Sequence, residues 1–170
     1  DIMNVTPSID MPIISGFESR TRAFVQVQQG CDHRCTFCII PFARGPNRSV
    51  PPEHIIKQVQ TLTENGHVEV VLTGVDVSSF GQDDEKLPTL GMLARTILNR
   101  VDALKRLRIT SLDPAFVDDD ILQLLADEER FMPHLHLSLQ AADDMILKRM
   151  KRRHTRKSAI DLVNRARTAR

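Results

Sequence analysis

The chain has 170 residues, of which 41% are hydrophobic and 26% are charged. This length and balance predict one globular domain with a substantial core, typical of a cytoplasmic protein. The longest apolar runs are only a few residues long, and no basic, apolar and small-residue signal precedes them. We therefore expect neither a membrane span nor an export signal.

The net charge of +1 conceals an uneven distribution along the chain. Residues 148–170 carry a charge of +9, whereas residues 1–147 carry −8. The basic segment is typical either of a solvated helix face or of a surface that contacts a polyanion such as a nucleic acid. Charge alone leaves both interpretations open.

The first predicted strand follows a segment without regular structure. Residues 1–20 are interrupted by prolines and show no sustained period, so we interpret them as a leader or linker. At residues 23–28 apolar and polar residues alternate, as in a strand that runs into the cysteine-containing loop. A helix is predicted at residues 52–65, because its apolar residues share one face and Gly66 follows it. The next strand is predicted at residues 69–73.

The alternation of helix and strand continues along the rest of the chain. It predicts, in order, a helix at 90–101, a strand at 106–110, a helix that Asp118 caps, a strand at 134–139, and helical regions at 145–150 and 158–170. This pattern predicts an α/β fold with a mostly parallel sheet and right-handed crossovers. Ligands bind such sheets at the carboxyl ends of the strands. In the last strand, we expect His134, His136 and Ser138 to face a barrel interior.

All three cysteines of the chain, Cys31, Cys35 and Cys38, lie within eight residues. Loops this short fit disulfide geometry badly, and an odd number of cysteines makes a poor disulfide framework. Three thiolates spaced as C-x3-C-x2-C can each bind one iron of a cubane iron–sulfur cluster. The fourth iron is then open to a small molecule that chelates through an amine and a carboxylate.

Two other interpretations of the cysteines are weighed against the cluster. A structural zinc site needs four ligands, and His33 lies only two residues from both Cys31 and Cys35, which is cramped for shared tetrahedral coordination. Cys35 and Cys38 alone have the spacing of a thioredoxin-like pair, but that motif opens a helix and leaves Cys31 without a role. The cluster is the interpretation that uses all three thiols.

The cysteine loop, with Phe37 directly before the last cysteine, resembles the signature of radical S-adenosylmethionine enzymes. The segments GCDHRCTFCIIPFARGPNRS, VVLTGVDVSSFG, LRITSLDP and HLHLSLQAADDMILKRMKRRHT are similar in order and spacing to the methylthiotransferases of that group. Those enzymes insert sulfur and a methyl group into tRNA or a ribosomal protein. The resemblance covers about residues 20–170. Within it, CIIPFARG and LTGVDVSSFG look closest to the branch that acts on threonylcarbamoyladenosine 37, beside the tRNA anticodon.

The resemblance implies a fold and a set of site residues. The fold is part of a (β/α)6 partial TIM barrel, in which the three cysteines hold a [4Fe-4S] cluster whose free iron binds S-adenosylmethionine. Thr73 and Gly74 resemble the segment whose backbone receives the methionyl amino group. Phe37, Ser111 and Gln140 stand where relatives contact the cofactor, although a turn or cap role is as plausible for Ser111 and Gln140. A run of basic residues resembles the family's LKRMKR segment and implies a contact with substrate or cofactor: Arg149, Lys151, Arg152 and Arg153.

The resemblance also implies partners and a longer protein. Relatives have an N-terminal domain with a second [4Fe-4S] cluster and a C-terminal RNA-binding domain, so residues 1–20 are interpreted as an interdomain linker and 21–170 as the N-terminal part of the catalytic domain. An electron donor such as flavodoxin or ferredoxin would supply an electron, and a 5′-deoxyadenosyl radical would act on tRNA. The isolated chain is then expected to cleave the cofactor at most. Relatives have QSGS where this chain has Gln140 to Asp143, which alters any contact made there.

Alternative functions remain open from the sequence alone. A sister enzyme that acts on isopentenyladenosine in tRNA or on a ribosomal protein would have a similar signature. A module that binds an iron–sulfur cluster or zinc without catalysis would share the cysteine loop. In a tRNA enzyme, the basic residues 148–170 would add phosphate contacts and a steep salt dependence.

Overall fold

A computed structural model describes residues 11–17 and 21–170 of the protein. Most of the predicted linker at residues 1–20 therefore lies outside the described residues. Residues 11–17 form neither helix nor strand, yet Met11 and Phe17 pack against the core. The backbone of Ile14 exchanges two hydrogen bonds of 2.7 Å with the side-chain amide of Gln58. This segment is held on the surface of the domain by specific contacts.

A four-stranded sheet forms the centre of the fold in the described residues. Its strands are β1 (Arg22–Gln29), β2 (Arg48–Ser49), β3 (Glu69–Gly74) and β4 (Arg106–Ile109). The order is β2-β1-β3-β4, with β1, β3 and β4 parallel and β2 antiparallel to β1. The mostly parallel α/β arrangement predicted from the sequence is confirmed, as are the first three predicted strands.

In the described residues, six α-helices connect or follow the strands. They are α1 (Ile40–Arg44), α2 (Pro52–Glu64), α3 (Leu90–Arg100), α4 (Asp119–Asp127), α5 (Asp144–Arg149) and α6 (Arg156–Ala169). The predicted cap of α4 is confirmed, because the Asp118 carboxylate accepts the N–H of Ile121 at 2.9 Å. None of the helices in the described part of the chain has the length and apolar character needed to cross a bilayer.

The apolar faces of α2, α3 and α4 pack on one face of the sheet. Alternate residues of β1, namely Ala23, Val25 and Val27, are buried in this core, as are residues of β3 and β4. On β1, the intervening residue Phe24 is 41% exposed. The two-residue period of the strands therefore separates a helix-covered face from the inner face of a half-barrel.

The predicted fourth strand at residues 134–139 is wrong as a regular strand. Phe131 and Leu137 instead make isolated parallel bridges to Leu107 and Leu112. Between these bridges lies Pro133, which has no N–H to donate to a strand ladder. The segment still runs beside the chain that follows β4, because Leu112 accepts the N–H of Ser138 at 2.8 Å. His134 and His136 are exposed.

The turn after β1 requires glycine. Gly30 has φ 71°, and a Cβ there would lie 1.8 Å from the carbonyl oxygen of Pro46. At Gly66, φ is 91°, but a Cβ would meet no atom within 4 Å. The two glycines share left-handed backbone, and only Gly30 is also confined by its neighbours.

We expect Gly30→Ala to destabilise the metal-free chain much more than Gly66→Ala. The Gly66 variant carries only the left-handed strain of about 1–2 kcal/mol. The Gly30 variant must in addition move the backbone of Pro46, and with it β2 and the cysteine loop. Urea unfolding of both variants measures the difference. Equal free energies of unfolding would contradict the confined turn.

Candidate functional site

A cavity of about 160 Å³ opens at the carboxyl ends of the parallel strands. Its wall contains seven of the predicted site residues: Cys31, Cys35, Phe37, Cys38, Ser111, Gln140 and Arg152. These residues come from four separate segments of the chain, so the fold gathers them as the rule for parallel sheets predicts.

Three backbone hydrogen bonds hold the cysteine loop in place. The N–H of Cys31 donates to the carbonyl of Gly45 at 3.1 Å, which closes the loop. Within the loop, the N–H of Cys38 donates to the carbonyl of Cys35 at 3.1 Å. The N–H of Thr36 reaches the carbonyl of Met150, at the end of α5, at 3.3 Å. The thiols thus stand on a fixed backbone.

The side chain of Gln28 connects the start of the cysteine loop to neighbouring parts of the sheet. Its side chain is fully buried, where a bulge in β1 interrupts the pairing with β3. The amide nitrogen lies 2.7 Å from both the Gly30 carbonyl and the Asn47 side-chain oxygen. The amide oxygen accepts the N–H of Asp76 at 2.8 Å. One side chain therefore joins the cysteine loop, β2 and the turn after β3.

Asp76 faces the first cysteine inside the cavity. Its carboxylate accepts from Ser79 Oγ at 2.7 Å, and the same oxygen lies 3.1 Å from His33 Nε2 and 3.5 Å from Cys31 Sγ. Burial raises the pKa of the Asp76 carboxyl, but its contacts with His33 and Ser79 outweigh burial and hold that pKa below its usual value. Burial, with the nearby Asp76 carboxylate, raises the pKa of the Cys31 thiol to about 12.

The thiols have the chemistry and placement of cluster ligands. All three cysteines are free thiols on the wall of one cavity. Across residues 11–17 and 21–170, no three His, Cys, Asp or Glu side chains converge closely enough to hold a single metal ion. A cubane cluster makes no such demand, because each thiolate binds a different iron. Three separated soft donors around one cavity therefore fit an iron–sulfur cluster.

Ser111 and Gln140 line the cavity with left-handed backbone. Their φ angles are 59° and 63°, which cost a residue with a Cβ roughly 1–2 kcal/mol each. Ser111 lies two residues beyond β4, and Gln140 ends the extended segment beside it. Backbone strain of this kind concentrates at functional sites. Both residues are polar and belong to the cavity wall.

Thr73 and Gly74 lie outside the cysteine cavity. They line an adjacent hollow of about 240 Å³ with Gln26, Gln29 and Arg44, and only Val75 belongs to both spaces. The structure also gives Gly74 a packing reason. A Cβ there would come within 2.8 Å of the amide oxygen of Gln28.

The four basic residues at the end of α5 and just after it fall into two groups in the structure. Arg149, Lys151 and Arg153 are exposed, and Arg153 lies over the ring of Phe116 at 5.3 Å. The side chain of Arg152 is only 8% exposed and lines the cavity. Sequence reasoning treated the four residues alike, because their charge does not show which side chain turns inward.

Matches to known proteins are consistent with this geometry. The family model described as the Radical SAM superfamily matches residues 25–170. The chain belongs to the radical SAM superfamily. The signature resemblance noted from the cysteine spacing and Phe37 is thereby confirmed at the level of the superfamily.

Curated radical SAM relatives include tRNA-modifying enzymes. The chain is 49% identical over its whole length to the threonylcarbamoyladenosine tRNA methylthiotransferase MtaB of Rickettsia prowazekii, covering 40% of that protein. It is 37% identical to MtaB of Bacillus subtilis over 97% of the chain and 36% of the relative. It is 40% identical to the tRNA-2-methylthio-N(6)-dimethylallyladenosine synthase of Staphylococcus haemolyticus over 87% of the chain and 29% of the relative. The chain thus spans two fifths or less of these proteins.

Solved structures of a distant radical SAM enzyme share the fold. The methyltransferase TsrM of Kitasatospora setae, with cobalamin and a [4Fe-4S] cluster bound, has a TM-score of 0.68 at 18% identity, over 86% of this chain and 27% of TsrM. The TsrM structure with tryptophan and a SAM analog has a TM-score of 0.69 at 17% identity, over 87% of this chain and 28% of TsrM. At this identity the likeness establishes the fold of the radical SAM half-barrel.

Two polar residues of the radical SAM cavity, Asp76 and Asp113, escaped sequence analysis, and His33 was considered only as a zinc ligand. Ser138, which was expected to face the barrel interior, lines the cavity. Asp76 and Asp113 follow the ends of β3 and β4 by a few residues, so the strand-end rule could have found them. His33 is buried and stacks on Phe116 at 5.4 Å between ring centroids. That contact depends on tertiary structure and cannot be read from the spacing of residues along the sequence.

The raised pKa of Cys31 predicts slow alkylation of that thiol in the metal-free protein. With a pKa of about 12 instead of 9.0, Cys31 holds about a thousandfold less thiolate at neutral pH. Cys35 and Cys38 are partly exposed, so iodoacetamide should modify them first. Timed alkylation at pH 8 followed by peptide mass spectrometry measures each rate. Asp76→Asn should speed modification of Cys31, and equal rates at all three thiols would contradict the buried site.

Proposed function

We propose that the cavity binds a [4Fe-4S] cluster through Cys31, Cys35 and Cys38, with S-adenosylmethionine beside it. We further propose that the whole protein is a methylthiotransferase acting on N6-threonylcarbamoyladenosine in tRNA. The observation that carries the proposal is the gathering of the three thiols with Ser111 and Gln140 on one cavity wall. The 49% identity to a relative of that name supports the reaction and the substrate.

We also propose the division of the chain that the sequence resemblance implies. Residues 21–170 would be the N-terminal part of a catalytic domain, and residues 1–20 a linker from a preceding domain that holds a second cluster. The superfamily match begins at residue 25, and the chain covers 40% of the Rickettsia relative, which supports this division.

When bound, the cluster supplies the electron for reductive cleavage of S-adenosylmethionine, chemistry that no side chain provides. The protein's own residues position the participants. The cysteine loop fixes the three thiolates, and Ser111 and Gln140 offer polar groups to the cofactor from two other segments of the chain. Phe37 is 53% exposed at the cavity rim, where its ring can cover a bound nucleoside and limit water access. Thr73 and Gly74 would contact a cofactor only through the neighbouring hollow.

Anaerobic reconstitution tests the cluster and the cofactor. The purified chain, supplied with iron and sulfide, should bind about four irons, and its spectrum should change when S-adenosylmethionine is added. Serine at any of the three cysteine positions should abolish stable assembly, because the chain has no spare thiol. Zinc at one per chain, or a cluster indifferent to S-adenosylmethionine, would contradict the proposal.

The proposed tRNA substrate draws support from charge as well as from identity. Residues 148–170 carry +9, and Arg149, Lys151 and Arg153 are exposed in the segment that contributes Arg152 to the cavity. Phosphate contacts there would give tRNA binding a steep salt dependence. The reaction also implies a cytoplasmic location and an electron donor of the flavodoxin or ferredoxin type.

Loss of the gene that encodes the chain should remove one modification from cellular tRNA. The 2-methylthio group should disappear from N6-threonylcarbamoyladenosine and persist on isopentenyladenosine. Mass spectrometry of nucleosides from total tRNA measures both. Loss from isopentenyladenosine alone would assign the sister activity instead.

Ser111→Gly should separate cofactor binding from stability. Glycine accepts the left-handed backbone, so relief of strain offsets added flexibility and the free energy of unfolding stays within about 1 kcal/mol. Loss of the hydroxyl should weaken S-adenosylmethionine binding to the reconstituted protein by roughly 3- to 10-fold, the net value of one hydrogen bond. Spectral titration measures the affinity. Ser15→Gly, in an exposed segment, is the matched control, and equal affinities of the two variants would exclude a role for the hydroxyl.

A further inference from the structure

The chain turns back into the domain after α5 through a left-handed residue. Lys151 has φ 57°, and its N–H donates to the carbonyl of Lys148 at 3.0 Å. The N–H of Arg152 donates to the carbonyl of Leu147 at 2.9 Å. These two bonds form a Schellman motif, with lysine where glycine is usual. The turn directs the next side chain, that of Arg152, towards the cavity.

The guanidinium of Arg152 is held on one side by buried acceptors. Its Nη2 lies 2.8 Å from Asp113 Oδ2 and donates to the carbonyl of Ser138 at 2.9 Å. Asp113 is itself fixed, because its N–H donates to Ser78 Oγ at 2.8 Å and its Oδ1 accepts the N–H of Ala115 at 3.0 Å. Both charged side chains are less than 10% exposed. The planar guanidinium therefore has one orientation.

That orientation points the other terminal nitrogen at a thiol. Nη1 of Arg152 lies 3.7 Å from Cys35 Sγ, within the range of a hydrogen bond to sulfur. An ion pair that served only to satisfy Asp113 would need no such contact. Hydrogen bonds to ligand sulfurs and nearby positive charge stabilise the extra electron of a reduced cluster. They consequently raise its reduction potential.

We infer that Arg152, oriented by Asp113, is a positioning residue that raises the reduction potential of the cluster through its contact with Cys35. The inference rests on the proposed function, since it requires a cluster on the three thiols. It assigns Arg152 a role apart from Arg149, Lys151 and Arg153, whose exposed side chains suit a polyanion. Electron delivery to the cavity would then depend on one guanidinium contributed from a distant segment.

The test compares variants of the reconstituted chain by redox titration. Arg152→Met removes both the charge and the hydrogen-bond donor, and should shift the midpoint potential of the cluster to more negative values. Arg152→Lys keeps the charge but loses the planar pair of donors, and should fall between wild type and Arg152→Met. Arg156→Met makes the same chemical change at an exposed position and is the matched control. Thermal unfolding of each metal-free variant checks the fold.

Each outcome decides the inference. An ordered shift, largest in Arg152→Met, partial in Arg152→Lys and absent in Arg156→Met, supports it. An unchanged potential in Arg152→Met, or an equal shift in Arg156→Met, overturns it while leaving the proposed function intact. If Arg152→Met fails to fold, Arg152→Lys alone decides, and a wild-type potential there overturns the inference. Failure of the wild-type chain to assemble any cluster would overturn the proposed function, and the inference with it.

Discussion

The buried amide of Gln28 is the interaction on which the site depends. A fully buried polar side chain is costly unless all its groups are paired, and Gln28 pairs both its nitrogen and its oxygen. Its partners are the backbone of Gly30, the side chain of Asn47 and the backbone of Asp76. The same few atoms therefore set where the cysteine loop begins, where β2 returns and where the Asp76 carboxylate enters the cavity. Gly74 completes this arrangement by leaving room for the amide oxygen.

The sequence was sufficient for elements with a sustained period and failed for short or interrupted ones. β1 and β4 bury mainly alternate residues, β3 buries a continuous run, and the longer helices bury residues at helical spacing; these patterns are readable without a structure. β2 has two residues, too few to establish any period. Residues 134–139 have the alternation of a strand, but Pro133 and a partner on one side only leave a single bridge. Local pattern cannot show how many partners a strand will find.

The site residues were predictable where their spacing along the sequence or their position at a strand end determines the site. The three thiols and Ser111 fall into this class, and the structure brings them together. Thr73 and Gly74 sit at a strand end as well, yet they line an adjacent hollow that shares Val75 with the cysteine cavity. Arg152 belongs to a third class. Its inward direction depends on the left-handed turn at Lys151, which no propensity for lysine would suggest.

The anchoring of Thr36 to Met150, and of Cys35 to a side chain 117 positions later, has a consequence for biosynthesis. At the usual pace of translation, about 5–20 residues per second, roughly 6 to 23 s pass between emergence of the two partners from the ribosome. During this interval the nascent loop lacks its central anchor. A loop that is settled before iron loads therefore has to wait for residues 150–152, and assembly of the proposed cluster requires thiols that stay reduced during this interval.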